Sequence, residues 1–409
     1  MPAHKIAMKD LFSTAVIVAA LGYFVDIYDL ILFSIVRVPS LRDLGLTPEQ
    51  ITSQGLLLLN VQMVGMLLGG ILWGILGDKK GRIQLLFGSI FLYSLANIAN
   101  GFVHNIELYA LFRFIAGVGL AGELGGGITL VAEIMPKETR GYGTMIVATV
   151  GVAGAVLAYN VVEHFDWRNA YFIGGGLGLM LLILRVSVFE SGMFNAVKNK
   201  NVSRGNFFSL FTNRERFFRY LKCIFIGLPT WYCVGILVTL SPEFAKALNI
   251  DGAVSAGRAV MFFYLGLIPG DFLSGLLSQL MKSRRKIILI FLIMNCVAVT
   301  TYFMSRGVSA DALYYITFFL GFSVGYWAVF VTNAAEQFGT NLRATVATTV
   351  PNMARGATVP ISIAFTYASA SFGFLAGGAL VGALCIIIAL YALYQLDETF
   401  GKDLDFVEE

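Results

Sequence analysis

Twelve apolar stretches of about 20 residues run along this 409-residue chain, and they constrain its fold more than any other feature. About 20 apolar residues form a helix long enough to cross the ~30 Å hydrocarbon core of a bilayer. Charged residues make up only 13% of the chain, against roughly 25% in soluble domains. The sequence therefore predicts an all-α membrane protein with spans near 12–36, 53–76, 84–103, 107–132, 142–162, 169–189, 217–240, 258–281, 286–305, 312–335, 345–369 and 372–396.

The distribution of Lys and Arg predicts the orientation of the chain, since short cytoplasmic loops carry the excess of these residues. Most of the 29 Lys and Arg residues fall in segments on the same side as the N-terminus. We therefore expect both termini in the cytoplasm. As a separate expectation, we predict that the protein is a monomer. The first segment lacks an A-x-A-like cleavage site, which predicts that it is retained. The opposite side keeps Arg37, Arg42, Arg168, Lys246, Arg258 and Arg306.

Several functional classes are disfavoured by the composition. The net charge of +4 reflects the excess of Lys and Arg in the cytoplasmic loops. The sequence has no basic patch with interleaved aromatic residues, so we expect no nucleic-acid partner. The four cysteines lie in predicted spans without metal-ligand spacing, so we expect neither a disulfide nor a metal, and no cofactor. The histidines at 4, 104 and 164 lie in loops or tails, and no nucleophile motif is present, which argues against an enzyme. A non-transporting receptor has little need of buried acids and bases.

The chain divides into two halves of six spans, joined by its longest polar segment. We predict an N-terminal bundle at 1–190, a linker with an interfacial helix at 191–216, and a C-terminal bundle with a tail at 217–409. The halves repeat, since "EIMPKETRG" from Glu133 and "EQFGTNLRA" from Glu336 end spans four and ten with the same Glu-to-Arg spacing. Parallel repeats of this kind are typical of transporters that alternate access to a central site.

Particular motifs resemble those of a known family. "GILGDKKGR" (Gly74 to Arg82) resembles the loop 2–3 signature G-x-L-x-D-[RK]-x-G-R of the major facilitator superfamily. "RFIAGVGLAGELGGG" from Arg113 is similar to the fourth-span pattern of its metabolite:proton symporters, with Ala121 in place of one glycine. "DIYDL" from Asp26 resembles the acidic first-span motif of that family, and "RVSVFES" from Arg185 an element shared with sugar porters. In the second half, Gln279 replaces the Asp of the loop signature.

The resemblance implies a fold of twelve transmembrane helices in two pseudo-symmetric six-helix bundles. It also implies multi-pass insertion in a bacterial inner membrane and proton-coupled transport by alternating access. For the charged residues near the cytoplasmic ends of the spans, it implies a role as gating latches between helices. These are Asp78, Arg82, Glu133, Arg140, Glu190, Glu336, Arg343 and Glu398.

Acidic residues within spans one and four are candidates for proton coupling, because a carboxylate in hydrocarbon is costly unless it has a use or a partner. Asp26 and Asp29 are three residues apart and share one helix face. The estimated depth of Arg113 matches theirs, so we expect Arg113 to pair with Asp26 or Asp29, for coupling or for structure alone. Glu123 is either a second protonation site or part of a close helix contact.

Arg355, near the middle of span eleven, is the candidate for substrate recognition. A guanidinium binds oxyanions bidentately and does not lose its charge, so this position favours a carboxylate or phosphate ligand. The alternative is an internal pair with Asp271 of span eight. Further residues that could line the central substrate cavity between the two bundles are Tyr28, Tyr326, Trp327 and Asn333.

The leading prediction is proton-coupled uptake of a small organic anion such as a mono- or dicarboxylate. A second is uptake of a zwitterion such as an amino acid or betaine, with Asp271 or a span-one acid binding the amino group. Proton-antiport export is disfavoured, because span five lacks the G-P-x-x-G-G element of such antiporters.

Overall fold

A computed structural model describes residues 14–80, 82–123, 140–188, 207–401 and 408 of the protein. This part of the chain is helical, and its only β-type pairing is an isolated bridge between Asp251 and Ser309. In the N-terminal half the helices are α1 Thr14–Asp43, α2 Pro48–Lys80, α3 Arg82–Asn100, α4 Ile106–Leu120, α5 Arg140–Val152, α6 Gly154–His164 and α7 Trp167–Val188.

The second half repeats the pattern of long helices. A short 3-10 helix at Phe207–Phe211 precedes it, within the predicted linker. Its helices are α8 Arg214–Ile226, α9 Leu228–Tyr232 continued by a π-helical turn at Cys233–Val238, α10 Ser241–Ala247, α11 Ala256–Leu280, α12 Arg284–Met304, α13 Ala310–Ser323, α14 Trp327–Glu336, α15 Thr340–Gly356, α16 Thr358–Phe372 and α17 Phe374–Tyr394.

Eight helical segments in the described residues are long and apolar enough to span a membrane, and a ninth forms if α8 is joined to α9 across a 42° bend. The other predicted spans correspond to α3, to α4, and to α15 together with α16. The prediction of twelve spans agrees with this count. Two spans end differently from the prediction: α1 continues through Pro39 to Asp43, and α4 ends at Leu120, with most of the rest of predicted span four outside the described residues.

Glycines allow α2 to lie directly against α4. A Cβ atom on Gly65 would stand 2.3 Å from the Phe114 carbonyl oxygen, and one on Gly117 would stand 2.2 Å from the Gln62 carbonyl oxygen. Such small residues let helix backbones approach closely in a bilayer. α11 and α13 pack in the same manner, since a Cβ on Gly266 would stand 1.9 Å from the Phe318 carbonyl oxygen.

The two halves meet at two sets of helices. α2 packs against α15 and α16, and α11 packs against α5, α6 and α1. Ser362 of α16 donates to Asn60 of α2 at 2.8 Å, and Asn352 of α15 donates to the Ala121 carbonyl at the end of α4 at 2.8 Å. α1 and α15 therefore both lie at the centre of the molecule, and the residues they direct inward define the site.

Candidate functional site

The centre of the molecule contains an ion pair that joins the two halves. Asp26 of α1 and Arg355 of α15 are both fully buried, with 3.6 Å between the carboxylate Oδ2 and the guanidinium Nη2. This separation is longer than a direct charge-assisted hydrogen bond, so the guanidinium keeps donor capacity for another anion. The expected alternative, an ion pair between Arg355 and Asp271, is wrong, because the ion-pair partner of Arg355 within the described chain is Asp26.

Helix geometry explains why Arg355 is available at this depth. It lies in the last turn of α15, which breaks at Ala357 before α16 begins. The junction is the single residue Ala357, whose backbone stays in the α region, so Arg355 lies two residues before a local irregularity within the predicted span eleven.

Aromatic side chains form one wall of the site. The guanidinium carbon of Arg355 lies 5.8 Å from the centre of the Trp231 ring, and the rings of Trp231 and Trp327 meet edge to face at 6.1 Å. The indole Nε1 atoms of both tryptophans find no acceptor among the described residues. Tyr23 and Tyr264 interact electrostatically with Arg355 and Asp26. The site thus combines one cation, one carboxylate and flat apolar surfaces.

Asp271 of α11 does not pair with Arg355 and instead caps the N-terminus of α14. Its Oδ1 accepts a hydrogen bond of 3.0 Å from the backbone N–H of Ala328, in the first turn of α14. No side chain of α14 itself caps that terminus, so Asp271 supplies the cap from α11. Its Oδ2 accepts no hydrogen bond within the described chain, so one carboxylate oxygen stays available to a ligand.

The expected pair between Arg113 and a span-one acid is not the one that the structure shows. Arg113 donates to the side-chain oxygen of Gln62 and stacks on Phe33 at 4.9 Å. The reason is the tight packing of α2 on α4, which sets Gln62 against Gly117, one turn from Arg113. In addition, Asp26 lies about 25 Å from the end of α1 at Asp43, whereas Arg113 lies about 10 Å inside the start of α4, so Asp26 and Arg113 differ in depth. Asp29, one turn nearer that end, interacts with Arg113 electrostatically without an ion pair among the described residues.

The other N-terminal acids have separate environments. Asp29 is fully buried and interacts electrostatically with Arg113 and Asn97. Glu123 forms a buried, bidentate ion pair with Arg185 of α7. This pair lies against Gly22 of α1, where a Cβ would collide with both side chains. Glu123 therefore holds a helix contact together, which is one of its two predicted roles.

Three of the predicted lining residues lie elsewhere. The Tyr28 hydroxyl donates to the Ala170 carbonyl at 2.9 Å, and the Tyr326 hydroxyl donates to the Ile226 carbonyl at 2.9 Å. Each therefore links helices within its own half. Asn333 accepts a hydrogen bond from Thr399 at 3.2 Å, in the cluster at the predicted cytoplasmic end of the molecule. Trp327 is the member of this group that the structure brings to the central site.

The cluster at the predicted cytoplasmic end joins α12, α14 and the segment after α17. Glu336 pairs with Arg284 at 3.4 Å and accepts a hydrogen bond from Thr399 at 2.7 Å. The Glu398 carboxylate accepts hydrogen bonds from Ser283 and from the backbone N–H groups of Arg284, Arg285 and Phe400.

Of the remaining predicted latch residues, Arg343 is the one whose side chain the structure describes. Arg343 donates to the Phe338 carbonyl at 3.4 Å, one of its contacts. The side chains of Asp78, Arg82 and Arg140 lie outside the described part of the chain, as do Glu133 and Glu190 entirely.

The predicted outer end contains a second connection between the halves. Arg37 of α1 is fully buried, pairs with Glu243 of α10 at 2.8 Å and donates to the Thr239 carbonyl at 3.0 Å. Thr52 of α2 donates to the same carboxylate at 3.1 Å. We call Arg37, Thr52 and Glu243 the outer lock. It joins α1 and α2 of the first half to α10 of the second.

Sequence reasoning did not assign a role to Trp231, Arg185 or Arg37. A signal exists for each. "LPTWY" contains the proline of the bent seventh span, which places Trp231 beside an interruption at mid-depth. Arg185 and Arg37 are permanent cations inside apolar runs, and such residues need a partner.

Comparison with known proteins agrees with this architecture. The family model of the Major Facilitator Superfamily matches residues 19–357. The chain belongs to that superfamily. Its fold matches the solved structure of the proton:xylose symporter XylE with a TM-score of 0.73 and 16% identity, over 96% of this chain and 97% of the other.

Curated relatives of this superfamily member are transport proteins. The niacin transporter NiaP of Acinetobacter baylyi is 25% identical over 95% of each chain. A Haemophilus influenzae relative, classed only as a metabolite transport protein, is 28% identical over 96% of this chain and 97% of its own. The protein is therefore a multi-pass transporter of a small molecule and not an enzyme, as predicted.

Proposed function

We propose that the protein is a proton-coupled symporter that takes up a small organic acid, with an aromatic monocarboxylate as the preferred substrate. The observation that carries this proposal is the ion pair between Asp26 and Arg355, which lies between the halves at the level of the Trp231 wall. A substrate carboxylate and the Asp26 carboxylate are competing partners for one guanidinium.

The competition supplies the coupling. While Asp26 is ionised it neutralises Arg355, and a substrate anion must displace it at the cost of a buried, unpaired charge. Protonation of Asp26 frees Arg355 to bind the substrate carboxylate bidentately. By linkage, bound substrate raises the proton affinity of Asp26 by the same factor by which protonation of Asp26 raises the substrate affinity. The loaded site then carries one proton and one anion, and the halves rearrange around it.

The aromatic wall favours a flat substrate. A carboxylate seated on Arg355 places the group attached to it beside Trp231, whose ring is 5.8 Å from the guanidinium carbon. Aromatic rings prefer offset or edge-to-face partners, and the Trp231 and Trp327 rings already meet in this way. The similarity to a transporter of niacin, a pyridine carboxylate, supports the same substrate class.

A second candidate is uptake of a zwitterion, and Asp271 is the observation that favours it. Its Oδ2 oxygen has no hydrogen-bond donor within the described chain and can accept from an ammonium group. A ring hydroxyl would serve equally well, so this oxygen also suits a hydroxylated aromatic acid. Direct comparison of uptake of an aromatic acid, a hydroxylated aromatic acid and a zwitterion separates these possibilities.

The test is uptake by purified protein in liposomes with an inward proton gradient. Nicotinate, benzoate, 4-hydroxybenzoate and the amino acid alanine serve as substrates, because the ammonium group of an amino acid carries N–H donors from which Asp271 can accept a hydrogen bond. We expect accumulation of an aromatic acid that follows the gradient. Asp26→Asn should lose gradient-driven accumulation while keeping exchange of substrate across the membrane, because the neutral side chain mimics the protonated state.

Matched variants make the test specific. Asp29→Asn removes a buried carboxylate one turn along the same helix, and it should leave accumulation at least half intact. Arg355→Lys keeps the charge but loses bidentate geometry, so substrate affinity should fall by roughly tenfold or more. Accumulation by Asp26→Asn equal to that of the unmodified protein would refute the coupling role, and unchanged affinity in Arg355→Lys would refute the recognition role.

A further inference from the structure

A cavity outside the transport site opens between α8 and α17, at the predicted cytoplasmic end of the bundle. Its volume is about 1050 Å³. Both helices run from the membrane surface toward the bilayer centre at this position, since α8 begins and α17 ends there. Tyr391 is 65% exposed and Ile387 62% exposed on its α17 side, so the cavity is open to the surrounding lipid.

The lining changes from charged to apolar with depth. Arg214, Phe218 and Lys222 follow one another at four-residue spacing along one face of α8, over about 12 Å. Phe225 lies one turn deeper, and the apolar Ile387 and Ile388 line α17 at the deep end. A phospholipid has the same gradient, with a charged headgroup at the surface and acyl chains below it.

The charged residues that line the cavity are the cations Arg214, Arg219 and Lys222 and the carboxylates Glu215 and Asp397. Of the cations, Arg219 pairs with Glu408 at 2.7 Å. By contrast, neither Arg214 nor Lys222 has a carboxylate within 4 Å in the part of the chain that the structure describes, and Arg214 stacks on Phe218 at 5.8 Å. Basic residues next to a membrane surface attract anionic lipids by roughly fivefold in affinity each.

We propose that this cavity binds one anionic phospholipid, with its phosphate between Arg214 and Lys222 and an acyl chain along Phe225, Ile387 and Ile388. This assignment is independent of the transported substrate. The occupant holds α8, the first helix of the second half, against α17, the last.

The experiment is native mass spectrometry of the full-length protein in detergent, titrated with dioleoylphosphatidylglycerol or dioleoylphosphatidylcholine. We expect one tightly retained phosphatidylglycerol per chain. The double variant Arg214→Gln with Lys222→Gln should bind it about 25-fold more weakly. The control Arg42→Gln with Lys246→Gln removes two exposed cations from the opposite end and should change the affinity less than twofold.

A second pair of variants tests the apolar part. Ile387→Ser should weaken retention of phosphatidylglycerol by about threefold, while Leu384→Ser, an exposed change one turn away outside the cavity, should not. Equal losses in the Arg214 and Lys222 variant and its control would overturn the proposal. Competition by millimolar glycerol 3-phosphate would also overturn it, because the ligand would then be a soluble phosphate.

Discussion

The two halves of this transporter are alike in their backbone packing and unlike in the charges that they bring to the centre. Gly65 and Gly266 are 201 residues apart and each lies against a carbonyl of a neighbouring helix, at Phe114 and Phe318. The N-terminal half contributes the carboxylate Asp26 to the central site. The C-terminal half contributes Arg355 and the tryptophans.

This difference separates two kinds of requirement. Close contact between helices requires small residues where the backbones approach, and both halves satisfy this requirement. Coupling requires a proton-binding group and an anion-binding group that meet across the interface, and two identical halves would supply two like charges. The symmetry therefore describes the scaffold, and the function lies where the symmetry is broken.

Exchange of the central charges should produce the largest effect. Asp26→Arg alone places two guanidinium groups together in a buried site, and we expect about 4 kcal/mol of destabilisation with loss of folded protein. Asp26→Arg combined with Arg355→Asp restores an ion pair and should recover folded protein, measured by size-exclusion chromatography.

Transport separates a functional pair from a merely structural one. In the exchanged protein the cation no longer lies beside Trp231, so uptake should stay roughly a hundredfold below that of the unmodified protein. Recovery of uptake together with folding would show that the position of each charge does not matter, and the proposed asymmetry would be wrong.

The packing symmetry predicts equal sensitivity of the two halves to a single methyl group. Gly65→Ala and Gly266→Ala should each cost about 3 kcal/mol, because the added Cβ meets a backbone carbonyl that cannot move aside. The measurement is the melting temperature in detergent. Gly176→Ala is the matched control, since nothing lies within 4 Å of its Cβ position. A large fall in melting temperature for only one of the two variants would contradict the proposed equivalence of packing in the two halves.

Much of this architecture follows from sequence, and the exceptions have physical causes. Span positions depend on local hydropathy, so predicted and observed helices agree within a few residues except where α1 continues to Asp43 and where α4 ends at Leu120, before the predicted end of span four. The partner of a buried charge depends on distances between helices. A depth estimate from one helix could not reveal that the contact between Gly117 and Gln62 would direct Arg113 to the amide. Asp26 and Arg355 were both identified as candidates, but not as a pair.

The outer lock extends the comparison to the end of the molecule. Glu243→Gln removes the charge that joins Arg37 of the first half to the second, and the open state should gain about 2 kcal/mol, or roughly thirtyfold in population. Spin labels at Arg42 and Lys246 should then report a second, longer distance by pulsed electron paramagnetic resonance.

An ion pair within one half supplies the control for this experiment. Asp311→Asn breaks the exposed pair between Arg258 and Asp311, which joins α11 and α13 at 3.5 Å. Exposed pairs contribute little, so the distance distribution should stay single. A second distance in this variant as well would mean that removal of any charge opens the molecule, and the lock would have no special role.

The smallest expected effect concerns Glu398, in the C-terminal cluster at the predicted cytoplasmic end. Partial burial opposes ionisation, but the hydrogen bonds from Ser283 and from three backbone N–H groups outweigh it and lower the pKa of this carboxyl below its ordinary value of 4.5. A lowered pKa in the folded state stabilises the fold above pH 4.5, and the contribution is lost as the pH falls through the folded value. Glu398→Gln should therefore lower the melting temperature by about 2–4 °C at pH 7.

The pH dependence distinguishes this charge effect from simple loss of packing. The difference in melting temperature between Glu398→Gln and the unmodified protein should shrink toward zero as the pH falls through the lowered pKa of the native carboxyl, because that carboxyl is then itself protonated. A difference that persists unchanged at low pH would mean that the shape of the side chain, and not its charge, holds the segment after α17 against α12. The contacts of Glu398 with four donors favour the charge, because a neutral amide leaves one donor of its own facing N–H groups.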